Sequence, residues 1–211
     1  MNIMKIAVIG ATGKAGYLIA REAQQRGHQV TAIIRHPNRL KLKIPFIQKD
    51  LFDLTTNDVS TFDVLIDAFN APRQQEILHQ KSVRHLVEIV STTQVRLVVV
   101  GGAGSLYIDE DRHTQLYQTP TFPPVAFPTS SNMAASLEFL KESSDISWLY
   151  VSPSANFIPD GPLLNHYQVG TDQLQVDKAG KSEISYADYA VALMDEIESP
   201  KYQNQQINVV W

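Results

Sequence analysis

The sequence predicts a single-domain α/β protein, spanning residues 1–211, in which helices cover both faces of a doubly wound parallel sheet. An apolar run at residues 6–9 leads into a glycine-rich turn and then into a segment with helical periodicity. Strand and helix patterns alternate three times within the first hundred residues, which is typical of parallel strands joined by crossover helices. Of the 211 residues, 44% are hydrophobic and 19% are charged, a composition that suits one globular core.

The glycine-rich turn carries three glycines at intervals of three residues. We expect Gly10 to allow a tight turn, Gly13 to let backbone approach a bound group, and Gly16 to let the helix pack closely. The first N–H groups of the following helix lack internal partners, and together with the helix dipole they favour an anion. The turn therefore predicts the pyrophosphate site of a dinucleotide, formed by Gly10, Thr12, Gly13, Lys14, Ala15 and Gly16.

Short apolar runs bounded by turn residues predict the strands. The run Arg96–Val100 is the clearest and suits a strand buried on both faces, whereas the run at 207–210 is expected at an edge of the sheet. The expected strands lie at 6–9, 30–34, 46–48, 64–66, 96–100, 148–151, 182–185 and 207–210.

Apolar spacing and capping residues predict the helices. The first presents Ala15, Leu18, Ile19 and Ala23 on one face and ends at Gly27. Later helices are expected at 57–61, 74–91, 132–143 and 186–198, with caps at Thr55 or Thr56 and at Ser130 or Ser131. The expected inward positions are Val83, Leu86, Val87, Val90, Met133, Leu137 and Leu140, while Glu76, His79, Lys81 and Arg84 are expected in solvent.

Two arginines follow the second strand, where a parallel nucleotide-binding sheet meets the adenosine ribose. An acidic residue at this place binds the ribose 2′-hydroxyl, whereas Arg35 and Arg39 suit a 2′-phosphate through charge-assisted hydrogen bonds. The pattern favours NADP(H) over NAD(H). The alternative is that both are ordinary surface arginines.

The remaining cofactor contacts are expected in loops after successive strands, because ligands of such sheets bind beyond the carboxyl ends of the strands. We expect Asp50 and Leu51 to border the adenine and Phe69 and Asn70 to lie along the ribose and pyrophosphate path. The loop Gly101–Ser105 is expected to face the nicotinamide, where Ser105 is a candidate catalytic hydroxyl or a capping residue of the loop.

Composition excludes several other classes of function. The net charge of −4 gives no reason to expect nucleic acid or an anionic membrane surface as a partner. Cysteine is absent and the six histidines show no metal-binding spacing, so no metal site is expected. His113 and His166 are expected in loops, where each is either an ordinary solvated residue or a proton donor. The N-terminus lacks a signal-peptide pattern, and we expect a cytoplasmic monomer or homodimer.

The sequence resembles the atypical short-chain dehydrogenases/reductases, a group with one NAD(P)-binding domain that includes NADH-flavin reductase, NmrA-like and biliverdin reductase B-like proteins. The similarity covers almost the whole chain and rests on Gly10–Gly16, Ile34–Leu40, Asp50-Leu51, Val98–Leu106, Trp148–Ser154, Gly180–Ser185 and Asp188–Ala192. It implies NADPH bound along the carboxyl edge of the sheet, with Gly102, Ser105, Ser152, Pro153 and Ser154 in the loops around the nicotinamide.

Typical members of the wider superfamily use a Tyr-x-x-x-Lys pair, whose tyrosine acts as a general acid. No tyrosine of this chain has a lysine four residues later. We therefore expect a reductase that transfers hydride to a flavin, quinone or similar conjugated acceptor, covered by loops at about 103–130 and 152–172. The alternative is a non-catalytic NADP(H) sensor of the NmrA-like kind, and an epimerase or dehydratase of sugar nucleotides is a weaker third.

Overall fold

The computed structural model describes residues 2–211. The strands are β1 (Lys5–Ile9), β2 (Gln29–Ile34), β3 (Phe46–Gln48), β4 (Val64–Asp67), β5 (Arg96–Val100), β6 (Trp148–Ser152), β7 (Asn156–Ile158), β8 (Gln168–Gly170), β9 (Glu183–Ser185) and β10 (Gln205–Val210). The helices are α1 (Lys14–Gln25), α2 (Thr56–Val59), α3 (Leu78–Val90), α4 (Phe127–Glu142) and α5 (Tyr186–Glu198).

Eight strands form one sheet in the order β3-β2-β1-β4-β5-β6-β10-β8, and β7 pairs with β9 in a separate parallel ribbon. Every neighbouring pair in the large sheet is parallel except β10 and β8. The order 3-2-1-4-5-6 is that of a Rossmann sheet, in which the chain reverses direction across the sheet beside β1. The predicted doubly wound parallel fold is confirmed.

Apolar side chains cover both faces of the sheet, because parallel strands alternate between two buried layers. On one face α1 and α5 pack with Ile6 and Val8, and Ile19 and Leu193 are fully buried. On the other face α3 and α4 pack over Leu65 and Leu97. The carboxyl ends of the strands are thereby left uncovered, and this is the edge at which ligands of parallel sheets generally bind.

The last strand is not an edge strand, which corrects the prediction. β10 lies between β6 and β8, with Asn208 opposite Ser152 on one side and Gly170 on the other. β8 has only three residues, Gln-Val-Gly, and carries too little periodicity to be recognised in the sequence.

Two helix predictions need correction. α4 begins at Phe127 and not near Asn132, because Pro128 stands in the first helical turn, where its missing N–H breaks no helical hydrogen bond. α3 begins at Leu78, and His79 is buried and not solvated. The His79 ring contacts the Phe69 ring, with the ring centroids 6.0 Å apart, and burial lowers the pKa of His79.

Asp67 ends β4 as a buried carboxyl group with 4% of its surface exposed. One oxygen accepts the Phe69 N–H at 3.0 Å. Burial raises the pKa of Asp67 to about 7, although the hydrogen bond opposes the shift. At a pH between these two values, the folded chain therefore keeps the Asp67 proton, whereas an unfolded aspartate, whose pKa is near 4, has released it.

The buried carboxyl group makes stability depend on pH. Between about pH 4 and 7 the folded state binds the extra proton, so this group lowers the free energy of unfolding as the pH rises. Asp67→Asn keeps an acceptor for Phe69 but cannot ionise. As the pH rises from about 4 to 7, the free energy of unfolding of the variant, measured with urea, should increase by roughly 2–4 kcal/mol relative to that of the wild type. The reason is that each unit of pKa shift corresponds to about 1.4 kcal/mol. The exposed Asp111→Asn serves as the control, and a pH-independent difference for Asp67→Asn contradicts the assignment.

Candidate functional site

A cleft of about 430 Å³ opens at the carboxyl ends of β1 to β4. Its walls come from the glycine turn, the end of β2, the segment after β3 and the segment after β4. Residues from each segment that line the cleft include Gly10, Thr12, Gly13, Arg35, Asp50, Leu51, Phe69 and Asn70. The structure thus brings together most of the residues predicted to hold the adenosine half of a dinucleotide.

The three glycines of the turn differ in what surrounds them. Gly10 has a φ of 75°, and a Cβ there meets the Ala68 carbonyl oxygen at 2.6 Å. A Cβ on Gly16 meets the Gly10 carbonyl oxygen at 2.4 Å, so this glycine lets α1 approach the turn. Gly13 has an ordinary φ of −81°, is exposed, and leaves 3.2 Å between a Cβ and that same oxygen. Gly10 and Gly16 are required by the fold, whereas Gly13 is open toward the cleft.

The N-terminus of α1 faces the cleft without a side-chain cap, because its capping residue is Gly13. The first N–H groups of the helix are therefore donors for a ligand. Thr12 and Lys14 are exposed beside them, and Ala15 is half-buried. The Lys14 Nζ lies 3.3 Å from the Asp160 carboxylate, which belongs to the long loop after β7.

The two predicted arginines are placed differently. Arg35 lines the cleft, with its Nη1 3.5 Å from Asp50 Oδ2 and its side chain 60% exposed. Arg39 lies in the exposed single turn of 3₁₀-helix Pro37–Arg39, and it does not line the cleft that the structure describes within residues 2–211. Only Arg35 is thus positioned in the cleft wall.

Two residues that line the cleft directly beside Asp50 and Leu51 were missed by sequence reasoning. Phe52 lines the cleft and meets Phe69 edge to face, with ring centroids 6.2 Å apart. Lys49 also lines the cleft, and its Nζ contacts both oxygens of Asp58 at 2.8 Å. Both residues flank Asp50 and Leu51 directly after β3, and this position in the sequence could have identified them as residues of the cleft.

A second pocket of about 410 Å³ lies at the same edge of the sheet, between the loops that follow β5 and β6. Ala103 and Gly104 come from the first loop and Pro153 and Ser154 from the second. Residues of the segment 116–126 form another wall of this pocket. This segment was predicted to be a loop, and it contains one turn of 3₁₀-helix at Leu116–Gln118. The two predicted covering loops therefore meet around one pocket.

A buried hydrogen-bond network joins these two loops. Ser105 and Ser152 both donate to the Gly102 carbonyl oxygen, at 3.2 and 2.9 Å. The Nε2 of Gln206, from β10, donates to both serine hydroxyls at 2.8 Å. Ser105 has only 1% of its surface exposed, so its hydroxyl is bound to protein on both sides. This geometry describes a positioning role for Ser105, and its catalytic role stays a prediction.

A second strand residue fixes the same region. Asn208 is fully buried, donates to the carbonyls of Ser152 and Pro153, and accepts the Gln175 N–H at 2.7 Å. Ser154 Oγ donates to the Val209 carbonyl at 2.8 Å. Sequence reasoning missed Gln206 and Asn208, although two polar residues on one face of an apolar strand were a signal of buried hydrogen bonding.

The two histidines that were predicted as possible proton donors line neither the cleft nor the second pocket. His113 and His166 are exposed. Within residues 2–211 no group of three or more His, Asp or Glu side chains is arranged to hold a metal ion. Over the same residues, no helix combines the length and the apolar character needed to cross a bilayer.

Comparisons with known proteins agree with this geometry. Residues 10–200 match a family model described as NAD(P)H-binding. The chain is 45% identical over 209 residues to the uncharacterized protein YwnB of Bacillus subtilis (strain 168), with 98% of both chains covered. A candidate NADH-flavin reductase from Streptococcus pneumoniae TIGR4 is 42% identical, with a TM-score of 0.95 and coverage of 98% of this chain and 99% of that one.

A candidate epimerase from Bacteroides thetaiotaomicron is 31% identical, with a TM-score of 0.89 over 100% of this chain and 98% of that one. Relatives described with different activities thus share one fold, which fits the rule that activity lies in the site and not in the fold. The glycine turn, the cleft beside it and these matches show that the chain belongs to the NAD(P)H-binding family of atypical short-chain dehydrogenases/reductases.

Proposed function

We propose that this NAD(P)H-dependent oxidoreductase transfers hydride from NADPH to a flavin, quinone or similar conjugated acceptor. The observation that carries the proposal is the second pocket, which is lined by both loops expected around the nicotinamide and by two aromatic side chains, Phe122 and Phe157. A flat acceptor ring bound there lies next to the nicotinamide. The 42% identical relative described as a candidate NADH-flavin reductase supports the same acceptor class.

The preference for NADPH rests on the wall of the cofactor cleft. Arg35 is the exposed cation at the end of β2, where the ribose 2′-position is expected. The Asp50 carboxylate lies 3.5 Å from its Nη1, and the guanidinium stays 60% exposed to a ligand. We expect Arg39 to contribute less, because it stands outside the cleft wall.

The bound nicotinamide supplies the hydride, and the protein orients the acceptor and excludes water. Backbone N–H groups at the start of α1 are expected to hold the pyrophosphate. The network of Gln206, Ser105 and Ser152 fixes the Gly102 carbonyl and with it the loop beside the nicotinamide. An acceptor that takes hydride at a ring atom draws its proton from water, so a Tyr–Lys pair is not required.

The proposal is tested by following NADPH oxidation at 340 nm with and without added flavin or quinone. Acceptor-dependent oxidation supports it. Tight NADPH binding without oxidation by any flavin or quinone overturns it and favours the sensor, whose mark is a large difference in affinity between NADP⁺ and NADPH.

Arg35→Ala tests the cofactor preference. Losing a charged hydrogen bond to the phosphate costs about 1.5–3 kcal/mol, so NADPH affinity should fall roughly ten- to a hundredfold while NADH affinity barely changes. Titration calorimetry with both cofactors measures the effect, and Arg39→Ala should show a smaller loss. Equal losses for NADPH and NADH refute the assignment of Arg35.

Gly13→Val tests the pyrophosphate site. The side chain projects from an exposed position with an ordinary φ, and its Cβ lies 3.2 Å from the Gly10 carbonyl oxygen, a tight contact that a small backbone shift relieves. The variant should therefore block the dinucleotide while the chain keeps a cooperative melting transition. Gly16→Val is the matched contrast, since its Cβ meets the Gly10 carbonyl oxygen at 2.4 Å and should disrupt the turn. Unchanged dinucleotide affinity in Gly13→Val places the pyrophosphate elsewhere.

Ser105→Ala tests whether a side-chain acid is needed. Its hydroxyl is bound within the protein, so removing it should lower kcat less than tenfold, which is about 1.4 kcal/mol. His113→Ala should cost no more, because this residue is exposed. General acids contribute on the order of 10²–10⁴-fold, and a thousandfold loss in either variant reveals a dedicated proton donor.

A further inference from the structure

We propose that the second pocket is selective for an uncharged planar ring and disfavours acceptors that carry a phosphate or carboxylate group. The inference rests on the proposed function, because it assumes that this pocket holds the acceptor. It goes further by naming the charge of the acceptor and the feature of the pocket that sets it.

The pocket wall carries no charged side chain. Of the thirteen residues that line it within the described part of the chain, none is Asp, Glu, His, Lys or Arg. Phe122 and Phe157 offer aromatic surface, and the polar groups are the hydroxyls of Thr119, Thr121, Ser130 and Ser154. Two of these hydroxyls already donate to backbone carbonyls, Thr119 to Leu116 and Ser154 to Val209. Such a wall binds a neutral ring with a few polar edges.

Two cations near this edge of the sheet are paired with carboxylates. Lys14 lies 3.3 Å from Asp160, and Arg112 lies 3.0 Å from Asp172. The ring of Tyr186 stacks on Phe157 with centroids 3.8 Å apart, which brings the pocket wall near the first pair. Burial raises the pKa of Tyr186, and Lys14 and Asp160 shift it in opposite directions. The field of these residues in the pocket is therefore small.

The cleft beside the glycine turn is lined differently. Its wall includes Arg35, Asp50 and Lys49, with Lys49 paired to Asp58, and the positive end of the α1 dipole faces it. An anion in that cleft exchanges water for the free N–H donors of α1 and for the exposed guanidinium of Arg35. An anion in the second pocket loses hydration without gaining an opposite charge, which is unfavourable in a partly enclosed site. The chain thus separates a site for charged groups from a site for a neutral ring.

Riboflavin and FMN provide the first test, because they share one ring system and differ by a phosphate. In steady-state assays with saturating NADPH, kcat/KM should be at least tenfold higher for riboflavin, with most of the difference in KM. An FMN value equal to or above that of riboflavin overturns the proposal.

Thr121→Arg provides the second test by adding a cation at an exposed position of the pocket wall. Relative to the neutral control Thr121→Gln, the FMN-to-riboflavin ratio of kcat/KM should rise at least fivefold. Raising the salt concentration should shrink this gain, because it screens the new charge. The same ratio in both variants shows that charge does not control selection and overturns the proposal.

Failure of the reductase function is distinguishable from failure of this inference. If neither the flavins nor a quinone oxidise NADPH, the proposed function fails, and the pocket is tested by quenching of flavin fluorescence during titration with protein. Tighter binding of riboflavin than of FMN supports a neutral-ring site without turnover. Equal binding, or no binding of either flavin, overturns it.

Discussion

The structure depends on the close approach of backbone at the glycine turn. Gly10 lies against the Ala68 carbonyl and Gly16 lies against the Gly10 carbonyl, so the end of β1, the end of β4 and the start of α1 meet with no side chain between them. This contact sets where the free N–H groups of α1 point, and the cofactor cleft forms around them. Because both contacts are made by backbone, no side-chain rearrangement can substitute for either glycine.

The two ends of the carboxyl edge of the sheet are held by different contacts. The cleft beside β1 is shaped by backbone contact and lined by charged side chains such as Arg35. The second pocket is shaped by buried side-chain amides, since Gln206 and Asn208 tie the loops after β5 and β6 to β10. Buried amides contribute only when their hydrogen bonds are made, so they define one arrangement of those loops and penalise others.

Local pattern was sufficient for much of the fold. The bounds of β3, β5 and α5 follow from apolar runs and turn residues, and the glycine turn, Arg35 and Asp50, which were predicted to share one site, line the same cleft. Features set by distant contacts were not predictable. β10 became an inner strand because the short β8 pairs with it, and His79 became buried because Phe69 covers it. Gln206 reaches Ser105 across 101 residues of sequence, a contact that no local window contains.

The internal position of β10 has a consequence for the order of folding. In the first half of the sheet Ile6 of β1 lies opposite Val30 of β2 and opposite Val64 of β4, so this half already contains a pairing between distant parts of the sequence. The second half needs β10 to insert beside β6, with Gln206 opposite Tyr150 and 56 residues away. Closing loops of this length costs chain entropy before their contacts form, so neither half of the sheet is built from local contacts alone. Until β10 inserts, the edge of β6 stays unpaired, and the loops that Gln206 and Asn208 tie to β10 lack the contacts that define their arrangement.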